Sequence, residues 1–279
     1  MHSAVIAQLR CPVCQGSLVR DGRSVRCDRM HSFDQARQGY VDLTAGRSTH
    51  AGDTAQMVAA RQALLGAGHF DPVSAVVSGA TKRVLTRYSS GMIVDVGAGT
   101  GHYLASVLDG LPGYIGLAVD VSKPALRRAA RAHPRMAAVR ADVWDRLPVR
   151  DGAARAVLNI FAPRSGGEFA RILAPGGALV VVTAEPGHLA ELVDALDLLA
   201  VDPDKRERLA ATLEPWFTLE SDETLDAALR LTRPEAAALV AMGPSARHVT
   251  PAQVEARLPK EPVKTTIQIR LTVWRPATA

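Results

Sequence analysis

Nothing restricts the fold of this chain more than Ile93-Val94-Asp95-Val96-Gly97-Ala98-Gly99-Thr100-Gly101. An apolar run from Met92 to Val96 ends in three glycines at alternate positions, and Tyr103 to Leu111 then carries helical spacing. The pattern predicts a strand, a tight turn and a helix. Glycine lets a backbone turn sharply and approach a ligand with no Cβ in the way. The helix start then presents free N–H groups to that ligand. Gly97, Gly99, Thr100 and Gly101 thus form the centre of an expected cofactor site.

From Met92 onward strands and helices alternate. Strands are predicted at 92–96, 114–119, 136–140, 156–160 and 178–183, with helices at 102–111, 123–132 and 168–173 between them. Such alternation means a parallel sheet covered on both faces. Helices are expected over 187–200, 204–212 and 234–242, and extended segments over 217–220 and 225–231. A long alternating strand over 263–274 closes the chain, with Val263, Thr265, Ile267, Ile269, Leu271 and Val273 on one face. Upstream, 53–65 and 72–88 read as helices, the first capped by Asp53 or Thr54. Residues 46–52 are polar and aperiodic and read as a linker.

A glycine turn after a first strand suits a dinucleotide or S-adenosylmethionine. Nicotinamide sites show G-x-G-x-x-G. Here the spacing is G-x-G-x-G, and an acid, Asp95, stands two residues ahead. Asp120 ends the second strand, where a carboxylate binds ribose hydroxyls. Asp142 follows the third strand, placed to meet the adenine amino group. Leu173-Ala174-Pro175-Gly176-Gly177 resembles the L-x-P-G-G turn of class I methyltransferases. The ordered set favours S-adenosylmethionine, and a hydride-transferring alternative lacks a catalytic dyad. This likeness implies an α/β fold with a seven-stranded Rossmann-like sheet.

All three cysteines lie in the first 27 residues, as Cys11-Pro-Val-Cys14 and Cys27, with His31 four positions on. The spacing supplies four ligands for a closed tetrahedral Zn²⁺. Between the pairs, 16–26 reads as a hairpin turning at Asp21-Gly22. So small a piece buries too little surface to fold without a metal clip, so the expected zinc is structural. A redox pair or free thiols would have no use for the spaced histidine. Charge points the same way: residues 1–90 hold 11 Lys/Arg against 6 Asp/Glu, whereas residues 91–279 hold 22 of each. The formal excess of +5 thus lies ahead of the glycine turn, which suits a polyanion such as RNA. A merely solvated basic surface is the bland alternative. No apolar run is long enough for a membrane span, and residues 1–10 lack the pattern of a secretory signal.

A zinc clip ahead of a methyltransferase is unusual. Cys11–Cys14, Cys27, His31-Ser-Phe33-Asp34, Gln38-Gly39-Tyr40-Val41-Asp42-Leu43, Gly52-Asp53-Thr54, Met57, Ala60-Arg61 and Gly68-His69-Phe70 stand in one order. With Phe161-Ala162-Pro163 and Pro186-Gly187-His188-Leu189 they resemble the bacterial 23S ribosomal RNA (guanine-N1)-methyltransferases over nearly the whole chain. The chain looks most similar to the branch that protects tylosin and mycinamycin producers from their own macrolides. That resemblance implies methylation of N1 of one guanine in a hairpin lining the peptide exit tunnel, and further cofactor contacts at Phe70 and His188. It also implies an RNA-recognising zinc module over 1–45, a helical linker over 46–90 and a methyltransferase domain over 91–279. The partner would be 23S rRNA, with no DNA and no membrane, in a cytoplasmic enzyme that could dimerise. A small-molecule methyltransferase, or a zinc-dependent RNA-binding protein without activity, are the competing functions.

No catalytic base is legible. The segment after the fourth strand, Asn159-Ile160-Phe161-Ala162-Pro163-Arg164, lacks the box of exocyclic-amine methyltransferases, which fits a ring-nitrogen acceptor. Asn159 or its backbone neighbours are the candidates for holding the guanine edge. Asp53 is the best carboxylate outside the cofactor set, although capping a helix is its simpler role.

Overall fold

The computed structural model describes residues 2–44, 46, 50–199, 201–202, 204–243, 251–258 and 262–277. The middle of the expected linker, 47–49, and Ala200 of the expected helix 187–200 lie outside the described residues.

The chain begins with a short helix α1 (Ser3–Ile6) and a three-stranded antiparallel sheet of β1 (Leu18–Asp21), β2 (Ser24–Cys27) and β3 (Ser32–Asp34). Asp21 pairs with Ser24, so the hairpin turns on Gly22-Arg23, one residue later than expected. Gly22 there has φ +58°. A two-residue strand β4 (Val41–Asp42) follows, then helices α2 (Ala55–Gly66) and α3 (Asp71–Leu85). The cap of α2 is Thr54, whose Oγ1 accepts from the Met57 amide at 3.3 Å. Asp53 is left for another partner.

The alternating portion contains β5 (Gly91–Val96), α4 (His102–Asp109), β6 (Tyr114–Asp120), α5 (Lys123–Ala129), β7 (Met136–Arg140), β8 (Ala154–Ile160), α6 (Gly166–Ile172) and β9 (Leu173–Ala184). Helices α7 (Ala190–Leu196) and α8 (Lys205–Leu213) lead to β10 (Phe217–Leu231), α9 (Arg233–Ala241), α10 (Pro251–Arg257) and β11 (Val263–Pro276). One eight-stranded sheet runs β10-β11-β9-β8-β5-β6-β7-β4. From β4 to β9 every pairing is parallel, whereas β11 is antiparallel to both β9 and β10. The two extended segments expected over 217–231 are one strand with a register irregularity at Leu219/Ser221.

Seven strands were expected and eight form. The additional strand is β4, which comes from the segment assigned to the zinc module and pairs with β7 through Val41↔Val139 and Asp42↔Arg140. Asp42 secures the join: its carboxylate accepts from Arg140 at 3.1 Å and Thr44 Oγ1 at 2.8 Å.

Strand alternation divides the core between the two faces of the sheet. Ile93 points into one cluster, with Phe70, Val77, Leu104 and Leu126, while Met92, Val94 and Val96 point into the other. Because both faces are covered, β5 is apolar almost throughout. The second cluster also takes in Val5, Leu9, Cys11, Leu18, Val25, Cys27 and Val41. The zinc-binding segment therefore packs on the sheet and shares its core. Among the described residues no helix is long and apolar enough to cross a membrane.

Candidate active site

Strand order reverses at β5, which has β6 on one side and β8 on the other. Ligands of open parallel sheets bind beyond the strand carboxyl ends at such a switch point. A cavity of about 490 Å³ lies there, lined by Asp95, the turn Gly97–Thr100, Asp120, Asp142 and residues 160–163.

The turn keeps its shape for local reasons. Gly97, Gly99 and Gly101 have φ +80°, +54° and +80°, which side chains disfavour. The Gly97 and Ala98 amides donate to the Val119 carbonyl, tying the turn to the end of β6. A Cβ on Gly97 would come within 2.3 Å of the Ala162 Cβ, so the loop after β8 needs that position bare. Thr100 is buried in the cavity wall, and Gly101 precedes the first turn of α4.

Four carboxylates line the cavity, Asp53 and the three of the expected cofactor set. Asp95 is buried, and its Oδ1 has no hydrogen-bond partner. Burial, aided by the negative charge of Asp120, pushes its carboxyl up to about 8. Asp120 accepts from the Gly99 amide at 2.8 Å and the Ser122 amide at 2.7 Å. Burial nevertheless raises it above the ordinary carboxylate range. Asp142 accepts from the Trp144 amide at 3.2 Å and lies 2.8 Å from His50 Nδ1. Nearby, His102 lies 3.1 Å from Ser74 Oγ through its Nε2, and burial lowers its pKa. Burial raises that of Tyr103.

A second cavity of about 530 Å³ adjoins the first, and Arg61 and Phe161 line both. Its walls are mainly apolar, from Leu192, Val193, Leu239 and Val240. Phe70 and His188 line this second cavity, whereas the other expected cofactor residues surround the glycine turn. His188 Nδ1 is 3.0 Å from the Gln268 carbonyl oxygen, and its ring centroid is 5.9 Å from that of Phe161. Phe161 itself has φ +52°.

Two expectations need correction. Asn159 is wholly buried. Its Nδ2 donates to the Val96 and Pro163 carbonyls at 3.2 and 2.8 Å, and its Oδ1 accepts from Arg164 at 3.2 Å. It is thus a positioning residue for the loop 161–164 and lines neither cavity. Asp53 does not cap α2 but accepts from Arg61 Nη2 at 2.8 Å. Sequence reasoning gave no site role to Arg61, noted only within the family pattern, or to His50 and Trp144; they come from a helix expected to be a linker and from loops. Trp144, at 57% exposure, forms part of the first cavity's wall, and the one available signal was its position two residues after Asp142.

On the ribbon, Cys11, Cys14, Cys27 and His31 converge, their ligand atoms all within 4.8 Å of one another, and no disulfide joins them. Cys11 Sγ and Cys27 Sγ are 3.6 and 3.3 Å from His31 Nδ1, and Cys14 Sγ is 3.6 Å from Cys27 Sγ. A tetrahedral Zn²⁺ site has sulfur–sulfur and sulfur–nitrogen edges of about 3.8 and 3.6 Å. The donor set therefore fits a structural zinc with no open position.

A parallel sheet with an acid and a glycine turn at its switch point, a carboxylate ending the next strand and another just after the third, defines a class I S-adenosylmethionine-dependent methyltransferase. The left-handed glycine turn and the carboxylates of Asp120 and Asp142, which line the same cavity, fit that cofactor. A family profile described as methyltransferase domain matches residues 93–177, and the zinc-ribbon profile described as RlmA, N-terminal, matches residues 9–45. The YcgJ protein of Bacillus subtilis shares the fold, with a TM-score of 0.50 and 14% identity over 71% of this chain and 97% of its own. The chain is 48% identical to the 23S rRNA (guanine(748)-N(1))-methyltransferase of Streptomyces fradiae over 99% of both chains. It is 49% identical to a protein of Micromonospora griseorubida named as a 23S rRNA (guanine-N(1)-)-methyltransferase, over 99% of this chain and 100% of the relative. The chain belongs to the 23S rRNA (guanine-N1)-methyltransferase family.

Proposed function

We propose that this protein transfers a methyl group from S-adenosylmethionine to N1 of one guanine in 23S rRNA. The observation that carries the reading is the near-full-length identity to that family, zinc ribbon included. The geometry supports it through the two adjoining cavities, one for the donor and one for the acceptor.

When bound, the cofactor supplies an electrophilic methyl on a sulfonium. The protein's work is then chiefly placement. The target base must leave its stack to enter the second cavity, whose aliphatic walls exclude water from a flat ring. Phe161 and His188 provide its aromatic side, and Asn159 holds the loop that carries Phe161. Phe70 and His188 line the second cavity, which shares Arg61 and Phe161 with the first, and are the further candidates for cofactor contact. Guanine N1 holds its proton more tightly than a carboxylate of pKa about 4, so proton loss must accompany methyl transfer or be eased by donors to O6.

The basic N-terminal third is the candidate RNA grip, with residues 1–45 supplying recognition, 46–90 the connection and 91–279 the chemistry. A dimer would bring two such grips to one RNA, and a monomer mass by light scattering at micromolar concentration would remove that part. Modification in the exit-tunnel hairpin would reduce macrolide binding, so expression in a sensitive host should raise tolerance to tylosin. The decisive test is primer extension on 23S rRNA treated with enzyme and cofactor. An N1-methyl blocks base pairing, so one new stop is expected immediately before the modified guanine. The position named for the Streptomyces fradiae relative is the first to inspect. No new stop anywhere in the RNA would defeat the reading.

A further inference from the structure

Residues 121–140 carry six cations, Lys123, Arg127, Arg128, Arg131, Arg135 and Arg140, and no Asp or Glu. The fold engages three of the six. Lys123 and Arg140 lie 3.6 and 3.1 Å from the Asp42 carboxylate. Arg135 donates to the carbonyls of Leu108, Leu111 and Tyr114. Arg127 and Arg128 stand in the last turn of α5 and Arg131 just beyond it, and all three are exposed. Among the described residues their side chains have no ion-pair or hydrogen-bond partner.

These three arginines share one hollow of about 360 Å³ with Gln62 of α2 and with Thr100 and His102 at the glycine turn and the start of α4. Among the described residues, none that lines it is acidic. Complementing the helix dipole accounts for cations in a last turn. It does not gather a third arginine and side chains of two other helices around one concavity. Three guanidinium groups side by side with no carboxylate between them repel one another, and an anion of several charges would relieve that repulsion.

The surroundings of the hollow place it beside both parts of the molecule. The turn at 36–39 of the N-terminal segment lies against the end of α5: a Cβ on Gly39 would sit 3.4 Å from the Ala130 Cβ. Arg37 in that turn is exposed. On the other side, Thr100 and His102 also line the glycine-turn cavity. Neighbouring residues of α2 serve two cavities, since Arg61 lines the apolar second cavity and Gln62 the basic hollow.

We infer that the α5 hollow holds backbone phosphates of the target RNA, with Arg127, Arg128 and Arg131 as the phosphate ligands. Guanidinium groups pair with phosphate oxygens through two parallel hydrogen bonds. Phosphate contacts of this kind fix register and leave specificity to the bases. The basic grip of the N-terminal segment thus continues into the methyltransferase portion, whose charges cancel in sum and hide the local excess. The inference rests on the RNA-methyltransferase reading and adds to it the surface that holds the strand one helix away from the base-accepting cavity.

Filter binding of a 23S rRNA transcript to the full-length, zinc-loaded protein, repeated over a range of salt concentrations, tests this. Arg127→Ala/Arg128→Ala/Arg131→Ala removes three exposed charges and puts the best helix former in their place. Loss of three phosphate contacts should make the slope of log affinity against log salt shallower by about 2 to 3. Calorimetry with S-adenosylhomocysteine should stay within about twofold of wild type and reports that the variant is folded. Arg230→Ala/Lys264→Ala is the control, because this cross-strand pair lies on β10 and β11 at the opposite edge of the sheet. A slope change of one or more that the control does not share supports the assignment. A smaller change, or one matched by the control, overturns it. Wild-type protein that gives no primer-extension stop would instead overturn the RNA-methyltransferase reading, a separate failure with a separate readout.

Discussion

Gly97 and Asp95 sit two residues apart, and each leads to a separate measurement. At Gly97 a side chain meets both a left-handed backbone and the Ala162 methyl at 2.3 Å. Gly97→Ala should cost on the order of 2 kcal/mol or more in chemical denaturation and displace the loop that carries Phe161. Gly22, with similar φ and nothing within 4 Å, should lose less on the same substitution. Asp95 has a folded-state pKa of about 8, far above its ordinary 3.8. The folded protein therefore holds this proton more tightly than the unfolded chain, and stability falls as pH rises between those two values. Asp95→Asn has no such proton to lose. In the ligand-free protein its gain in melting temperature should be larger at pH 8 than at pH 5, corresponding to a few kcal/mol at most. Binding of S-adenosylhomocysteine should weaken in the same variant. A stability change independent of pH would contradict the perturbed carboxyl. Asp95 and the glycines were legible because their spacing along one strand and turn is itself the signal. Arg61 was not, since a single arginine on a helix is ordinarily a solvated charge and only its neighbours in space give it a task.

Among the elements, the five parallel strands of the alternating portion were readable from their apolar runs, because a strand buried on both faces has no polar alternation. Strand β4 was not, since two residues carry no periodicity, and it exists because β7 offers a free edge to Val41-Asp42. Strand β10 looked like two segments because Ser221 to Thr224 is polar. Those residues lie at the outer edge of the sheet, where pairing with β11 sustains the strand without burial. Helices α1 and α10 are short and were not anticipated. The ribbon strands β1 to β3 depend on their metal in a testable way. Removing zinc with a chelator, or Cys27→Ser, should abolish hydrogen-exchange protection across β1–β3 while β5, β8 and β9 remain protected. Metal analysis should fall from one zinc per chain to none. Protection of β1–β3 that survives metal loss would show that packing alone holds the ribbon.

Across the whole molecule, the N-terminal segment and the methyltransferase fold share one core. Val5, Leu9, Leu18 and Val25 pack in the cluster that holds Val94, Val119 and Val139, and Leu9 forms an isolated bridge with Val149. Removal of residues 1–43 should therefore do more than remove a basic segment. It strips β4 from the sheet edge and exposes one face of the core, so the truncated chain should melt well below the full-length protein and tend to aggregate. A truncated chain with an unchanged melting temperature would show that residues 44–279 fold independently. The same packing joins the basic segment to the face of the sheet while the glycine-turn cavity opens at the strand ends, so the two are held in fixed relation.

The order of residues by itself determined the kinds of chemistry present. A Cys₃His clip, an acid-glycine turn and two later aspartates are local patterns, each set by spacing within one hairpin or one strand–turn unit, and the likeness of those patterns carried the family. Only the tertiary structure decided how the second cavity is built. Phe70, Phe161 and His188 come from three separated segments and meet at one cavity, Asn159 turns inward to hold a loop, and Arg61 reaches the glycine turn from another helix. The physical reason is that most of these contacts join residues tens of positions or more apart, the bonds of Asn159 to Pro163 and Arg164 being local. They are fixed by how the helices and loops pack at the sheet's switch point, which no local spacing encodes.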